Sequence, residues 1–304
     1  MEIELGGGLW AVGPGREQVM AIVNVTPDSF FAGSRQQSEA AIAAAAENAR
    51  REGAGIIDLG GCSSRPGAGG IPADEEFRRL EKGFRCVRKA AGEDFPVSVD
   101  TFRAEVVERL CDRFGPFVVN DISAGALDAA MMPTVGRLGL PYIAMHMRGT
   151  PQTMAALTDY PAGTGGVVGE LLRYFVRKSA EARAAGIKDL ILDPGFGFAK
   201  TADQNFELLG RLDELSVFGV PIVAGLSRKS MIWRTLGTAP EEALNGTSVL
   251  NWEALRHGAT LLRVHDVREA VETVRLFRAY RKASAESPVS RSTARYPSVP
   301  SDSE

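Results

Sequence analysis

The sequence predicts an α/β fold: a (β/α)8 TIM barrel preceded by a short N-terminal β-hairpin. Three observations predict it. Eight short apolar runs start at Val19, Ile56, Val97, Val118, Tyr142, Leu190, Ile222 and Leu261. Helical patterns lie between them, and alternating strand and helix implies a parallel sheet with right-handed crossovers. Each run ends in polar residues, which is where a barrel of this kind places its chemistry. An open doubly wound sheet is the alternative, but it carries a glycine-rich fingerprint after its first strand. Here that strand is followed by Asn24-Val25-Thr26-Pro27-Asp28.

Residues 3–12 read as a hairpin with Gly6-Gly7-Gly8 at the turn. Ser38 is placed to cap a first helix that Gly53 ends. Phe77, Leu80, Phe84 and Val87 recur at helical steps, as do Val106, Val107, Leu110 and Phe114 before Gly115-Pro116. A short helix is expected near Leu127–Leu138 and a long amphipathic one from Val167 to Gly186. Phe206, Leu209 and Leu212 share one face of the next. Pro240, Glu241 and Glu242 open another, and Asp266 is placed to cap the last, with Val267, Val271, Val274 and Phe277 inside.

A net charge of -3 excludes a general nucleic-acid surface, so any anion site is local. Three widely spaced cysteines, Cys62, Cys86 and Cys111, form no CxxC pair, which argues against structural zinc and for a reduced, cytoplasmic protein. The acidic N-terminus is no signal peptide, and no run approaches the length of a membrane span. Residues 1–281 are expected to form one domain. Residues 282–304, rich in serine and proline, are expected to be a disordered tail.

The run ends describe a lined site. They carry Asn24; Asp58 inside the second strand, with Ser63, Ser64, Arg65 and Pro66 after it; Asp100; Asn120 and Asp121; His146 and Arg148; Asp193; Ser227, Arg228 and Lys229; and Arg263 with His265. Arg228, Lys229, Arg263 and His265 follow strands seven and eight, where barrels often hold phosphate. With Arg65 they suit a multiply charged anion, a diphosphate among the candidates. Asn24 offers an oxygen to Mg²⁺ bridging such phosphates. Asp100, Asn120 and Asp193 mix acceptors with an amide and suit a flat heterocycle with a guanidine-like edge. Asp121 reads as a cap or loop acceptor, His257 as a helix-end residue and Cys62 as a spectator. His146 is divided between core hydrogen bonding and site lining.

These residues lie in stretches that resemble the dihydropteroate synthases of folate biosynthesis. The matching stretches are NVTPDSF (Asn24–Phe30), SSRPGA (Ser63–Ala68), VDTF (Val99–Phe102), VNDISAG (Val119–Gly125), MHMRGTP (Met145–Pro151), LDPGFGFAK (Leu192–Lys200), GLSRKSMI (Gly225–Ile232) and RVHDV (Arg263–Val267). The resemblance implies a transferase that joins 6-hydroxymethyl-7,8-dihydropterin diphosphate to p-aminobenzoate with Mg²⁺ as cofactor. It also implies a homodimeric enzyme that is a sulfonamide target. By motif, Asp100, Asn120, Asp193 and Lys229 hold the pterin, with Met145 and Gly225 nearby. Asn24, Arg65, Arg263 and His265 serve the diphosphate and its metal. Phe30, Ser64, Pro66, Phe198 and Ser230 border p-aminobenzoate. The catalytic groups so implied are Asp100, Asp193, Lys229, Arg263 and His265, and Asn24 is the metal ligand. Cys62 stands where many members carry glutamate, and Ser64 where threonine is common. A pterin-dependent methyltransferase has no use for the anion cluster, and a non-catalytic paralogue is expected to have lost part of it.

Overall fold

The computed structural model describes residues 1–5, 8–25, 39–62 and 70–286. The expected glycine turn at Gly6 and Gly7, the Ser38 cap, the site residues Phe30, Ser64, Arg65 and Pro66, and most of the expected tail lie outside the described residues.

Eight parallel strands form one sheet: β3 (Gln18–Asn24), β4 (Ile56–Gly60), β5 (Val97–Asp100), β6 (Val118–Asp121), β7 (Tyr142–Met145), β8 (Leu190–Asp193), β9 (Val223–Ala224) and β10 (Leu261–Val264). Their spatial order is β8-β7-β6-β5-β4-β3-β10-β9. A parallel bridge from Leu192 to Ile222, with Leu192 N–H donating to Pro221 O at 3.0 Å, brings the two ends together. The expected eight-stranded barrel is therefore present, and every expected apolar run is one of its strands.

Side-chain alternation along each strand divides the apolar residues. Val19, Ala21 and Val23, with Ile57, Leu59, Val99, Val119, Leu192, Leu262 and Val264, pack outward against the helices. Met20, Ile56, Val118, Ile143, Ile191, Val223 and Leu261 point inward and form a second, smaller core. The N-terminal hairpin, β1 (Glu2–Leu5) with β2 (Gly8–Ala11), closes that core by adding Ile3, Leu5 and Trp10. The lower half of the barrel is thus apolar and plugged.

The surrounding helices are α1 (Glu39–Glu52), α2 (Ala73–Ala91), α3 (Ala104–Phe114), α4 (Met131–Leu138), α5 (Gly166–Ala184), α6 (Ala202–Gly210), α7 (Ser230–Leu236), α8 (Leu244–Arg256) and α9 (Val267–Glu286). Several differ from the sequence expectation: α7 has no expected counterpart, and Leu212, expected on the face of α6, falls in the 3-10 turn Leu212–Phe218 that follows it. α4 starts at Met131 because the preceding residues form turns held by side chains: the Asp128 carboxylate accepts from Ala130 N–H at 2.9 Å and from Ala104 N–H, at the start of α3, at 2.8 Å. Pro240 opens a 3-10 turn, Pro240–Glu242, and the helix proper begins at Leu244. α9 runs to Glu286, five residues beyond the boundary expected at 281. No described helix is long and apolar enough to cross a membrane.

α9 is tied to the foot of β3 by a buried carboxylate. Glu17, 3% exposed, accepts from Arg278 Nε at 2.9 Å, from Gly15 N–H at 2.8 Å and from Arg281 at 3.5 Å. Burial raises the Glu17 pKa, but the Arg278 and backbone hydrogen bonds outweigh it, and the carboxyl sits below its ordinary value. A depressed carboxyl contributes stability above the unfolded value, about 4.3, and loses it as pH falls through the folded value. Glu17→Gln is therefore expected to lower Tm by about 2–4 °C at neutral pH, with the gap from wild type closing in acid. Thermal denaturation at both pH values checks this.

Candidate active site

Two residues beyond each inward apolar position lies the next inward position. The chain puts Asp58, Asn120, Met145, Asp193, Gly225 and Arg263 there, and Asp100 on β5. A polar ring therefore sits on the apolar floor, at the carboxyl ends of the strands. Strand pairing carries it round: Asn24 opposite Gly60, Gly60 opposite Asp100, Asp100 opposite Asn120, and Met145 opposite Asp193.

Asp58 is the node of this ring. It is fully buried and accepts from Arg263 Nε at 2.7 Å. It also accepts from Asn120 Nδ2, at 3.3 and 3.2 Å. A carboxylate only accepts, so the Asn120 amide turns its NH₂ to Asp58 and its carbonyl oxygen away. Arg263 Nη2 reaches Asp100 Oδ2 at 2.9 Å. Arg263, grouped by the sequence with the anion cations, thus lies between Asp58 and Asp100, the second of which belongs to the heterocycle set. Burial opposes its charge, but Asp58 and Asp100 outweigh it and hold the guanidinium firmly protonated. Asp100 is pushed up to about 7, first by burial and then by the nearby carboxylates, with Arg263 opposing.

Asp193 is 7% exposed and accepts from Gly195 N–H at 2.7 Å. Burial raises its pKa, and Lys229 is the strongest opposing influence. The turn after it requires glycine: Gly195 has φ +67°, and a Cβ there would stand 2.1 Å from His146 O. Lys229 Nζ donates to Phe196 O and lies 5.1 Å from the Phe198 ring centroid. Burial lowers it to about 8, against the pull of Asp193. Phe198 and Met145 belong to a small apolar cluster with Ile122, Met147, Met154 and Ala199, which walls the ring on that side.

Lys200, the last residue of the LDPGFGFAK stretch and one with no role legible in the sequence, props this wall from behind. It is 8% exposed, and its Nζ reaches His146 Nδ1, Gly195 O and Phe198 O, each at 3.0 Å. Burial lowers it to about 7. His146 is 1% exposed and held well below its ordinary value by burial and by Lys200, so it is a neutral core partner. Asp121 points to the opposite face from Asn120. It accepts from Ser123 N–H, Gly125 N–H and Tyr142 OH at 2.6–2.8 Å, the capping role expected of it. His257 closes α8 beside Glu253 and Asp213.

His265 is exposed at the mouth, with Nδ1 3.1 Å from Ser227 Oγ. Ser230 is the exposed first residue of α7. Arg228 departs from its expected place in the anion cluster: its guanidinium is taken by Asp266 and by the carbonyls of Pro240 and Glu241. Among the described residues no three His, Cys, Asp or Glu side chains come together as a metal cage. Asn24, half-buried at the tip of β3, leans its amide oxygen over Gly60, where a Cβ would stand 2.7 Å from it. A hard amide oxygen of this kind would suit Mg²⁺.

A parallel barrel with carboxylates, an amide and fixed cations around an apolar floor defines a protein that binds a small polar heterocycle at its carboxyl face. The comparisons agree. The family described as pterin binding enzyme matches residues 20–265. The dihydropteroate synthase of Escherichia coli is 41% identical over 269 residues, covering 86% of this chain and 90% of that one. The crystal structure of the Yersinia pestis dihydropteroate synthase with a sulfonamide drug complex matches with a TM-score of 0.84 at 34% identity, over 93% of this chain and 100% of that one. The Xanthomonas albilineans dihydropteroate synthase with 4-aminobenzoic acid matches with a TM-score of 0.80 at 36% identity, over 92% and 98%. The chain belongs to the pterin-binding enzyme family, and within it to the dihydropteroate synthases. Its activity is that family's transferase step in folate biosynthesis.

Proposed function

We propose that the polar ring carries out this reaction by letting diphosphate leave before the amine attacks. The observation that supports it is the opposition of two carboxylates, half-buried Asp100 and buried Asp193, to the fixed cations Lys229 and Arg263. The pterin's guanidine-like edge donates to Asp193 and Asp100, and its ring nitrogens and oxygen meet Asn120 and Lys229. Met145 and Gly225 border the ring plane. The bond between the methylene carbon and the diphosphate oxygen breaks, and the oxygen keeps the electron pair. Asp100 and Asp193, fixed in a pocket of low dielectric, stabilise the delocalised cation left behind. His265 and Arg263 counter the charge that grows on the leaving group, and the motif assigns Arg65 to the same task. The amine nitrogen of p-aminobenzoate then donates its lone pair to the methylene carbon and loses a proton to solvent. Phe198 and Ser230 border that second substrate, and the motifs assign Phe30, Ser64 and Pro66 to it. Asn24 is the side chain that would hold Mg²⁺, which when bound neutralises charge on the diphosphate.

Residues 1–281 act as one catalytic unit in this reading. The protein works as a cytoplasmic homodimer, a state supported by the exposed Leu236, Val249, Leu276 and Tyr280 on α7, α8 and α9. Light scattering at working concentrations tests the dimer.

The reaction is tested by incubating the purified protein with Mg²⁺, the dihydropterin diphosphate and p-aminobenzoate. Equal amounts of diphosphate and dihydropteroate are expected; pterin binding without either product would overturn the reading. A pH dependence follows from the same groups. Asp100 must be ionised, so kcat/KM rises as pH passes about 7. Lys229 must keep its proton, so kcat/KM falls above about 8. A narrow bell between those values is expected, and a profile flat from about pH 6 to 9 would contradict the assignment.

A further inference from the structure

The two loops that carry Lys229 and His265 are joined by contacts that the reaction itself does not use. Arg228 lies in the first of these loops and reaches across to the second. Its backbone is left-handed, φ +54°, a conformation that a non-glycine residue holds only when its surroundings impose it. The imposing contacts are specific. Arg228 N–H donates to Thr247 Oγ1 at 3.1 Å, and Thr247 is 2% exposed within α8. The guanidinium Nε and Nη2 grip the two oxygens of Asp266, each at 2.9 Å. Nη1 donates to Pro240 O at 2.9 Å and to Glu241 O at 2.5 Å. Asp266 is the residue directly after His265, and Lys229 the residue directly after Arg228. The left-handed residue sends the Arg228 side chain to Asp266 while the next side chain, Lys229, turns toward Phe196 O and Phe198. A second link runs parallel: Ser227 Oγ accepts from His265 N–H at 3.2 Å and lies 3.1 Å from His265 Nδ1.

We infer that Arg228 is a positioning residue, whose fork onto Asp266 locks the loop after β9 to the loop after β10 and so fixes Lys229 and His265 relative to each other. The inference rests on the reaction proposed above for its kinetic arm. It assigns Arg228 no contact with either substrate. A bidentate Arg–carboxylate pair with two further carbonyl contacts fixes both distance and plane, which a lysine at 228 does not reproduce. Displacements on the order of 1 Å at reacting groups cost about a hundredfold in rate, so loss of the lock is expected to appear in catalysis more than in folding.

The test compares Arg228→Met, Arg228→Lys, Asp266→Asn and the double variant Arg228→Met/Asp266→Asn. Each is measured for kcat, for KM of both substrates, for Tm and for the NMR signals of the His265 ring. Each single variant is expected to lower kcat/KM by roughly 10–100-fold and to shift the His265 signals alike. The double variant is expected to be no worse than the single ones, because the two residues act as one unit. Wild-type kinetics for Asp266→Asn beside a raised KM for dihydropterin diphosphate in Arg228→Met would overturn the inference and make Arg228 a ligand. A lowered Tm with kcat, KM and the His265 signals unchanged would also overturn it. The ring signals read the lock without turnover, so an inactive wild type would count against the reaction while the spectra still decide the pair.

Discussion

Asp193→Asn is expected to lower kcat/KM by about 10²–10³-fold, roughly 3–4 kcal/mol of transition-state stabilisation, while Tm does not fall. Asparagine has the same shape, and its carbonyl oxygen still accepts the Gly195 N–H that Asp193 accepts at 2.7 Å. What disappears is the negative charge facing the cation and Lys229. The stability side follows from the sign of the pKa. Burial raises Asp193, so the folded state favours the neutral carboxyl, and keeping it ionised at neutral pH works against folding. Replacing it with a neutral isostere removes that opposition. Activity and stability therefore move apart, as they do where a site is held in an unfavourable state for function. Steady-state kinetics with a melting curve check both halves, and unchanged turnover would defeat the assignment of Asp193.

Asp58→Asn is expected to unfold more readily by about 3 kcal/mol and to lose most activity as well. Asp58 is fully buried and holds two members of the ring, Arg263 at 2.7 Å and Asn120 at 3.2 Å. Its loss leaves the guanidinium with Asp100 alone and sets two amides face to face at Asn120. Removing one member of a buried ion pair is costly because the remaining charge stays desolvated. Asp100→Asn offers the contrast. Asp100 is already pushed toward its neutral form and is more exposed than Asp58, so the same change there is expected to be milder on stability. Urea denaturation midpoints of the two variants give the comparison. An Asp58→Asn midpoint equal to wild type would show that Arg263 does not depend on it.

The barrel was legible because its evidence is local: eight apolar runs, helical patterns between them, and polar residues at the run ends. Asp100, Asn120, Asp193, Lys229 and Arg263 were legible for the same reason, and the structure brings them to one ring. Asp58 is legible in its strand but its role is not, although it falls two residues beyond inward-facing Ile56. Counting by twos along every strand would have placed it. Arg228 was misplaced because its direction depends on one backbone angle, φ +54°, set by partners 12 to 38 residues away. Lys200 was hidden by the same kind of distance: it matters through His146, 54 residues earlier. α7, seven residues long with only Met231 and Ile232 buried, is too short to show a helical period.

The most direct test of the account is isotope exchange in the substrate when p-aminobenzoate is withheld. The dihydropterin diphosphate is prepared with heavy oxygen in the bridge between methylene and phosphorus. If the bond breaks first and the cation waits on Asp100 and Asp193, recovered substrate will carry the heavy oxygen in non-bridging positions, and Asp193→Asn will abolish the exchange. Full turnover with p-aminobenzoate, together with a label that never leaves the bridge in its absence, would mean that the amine displaces the diphosphate directly.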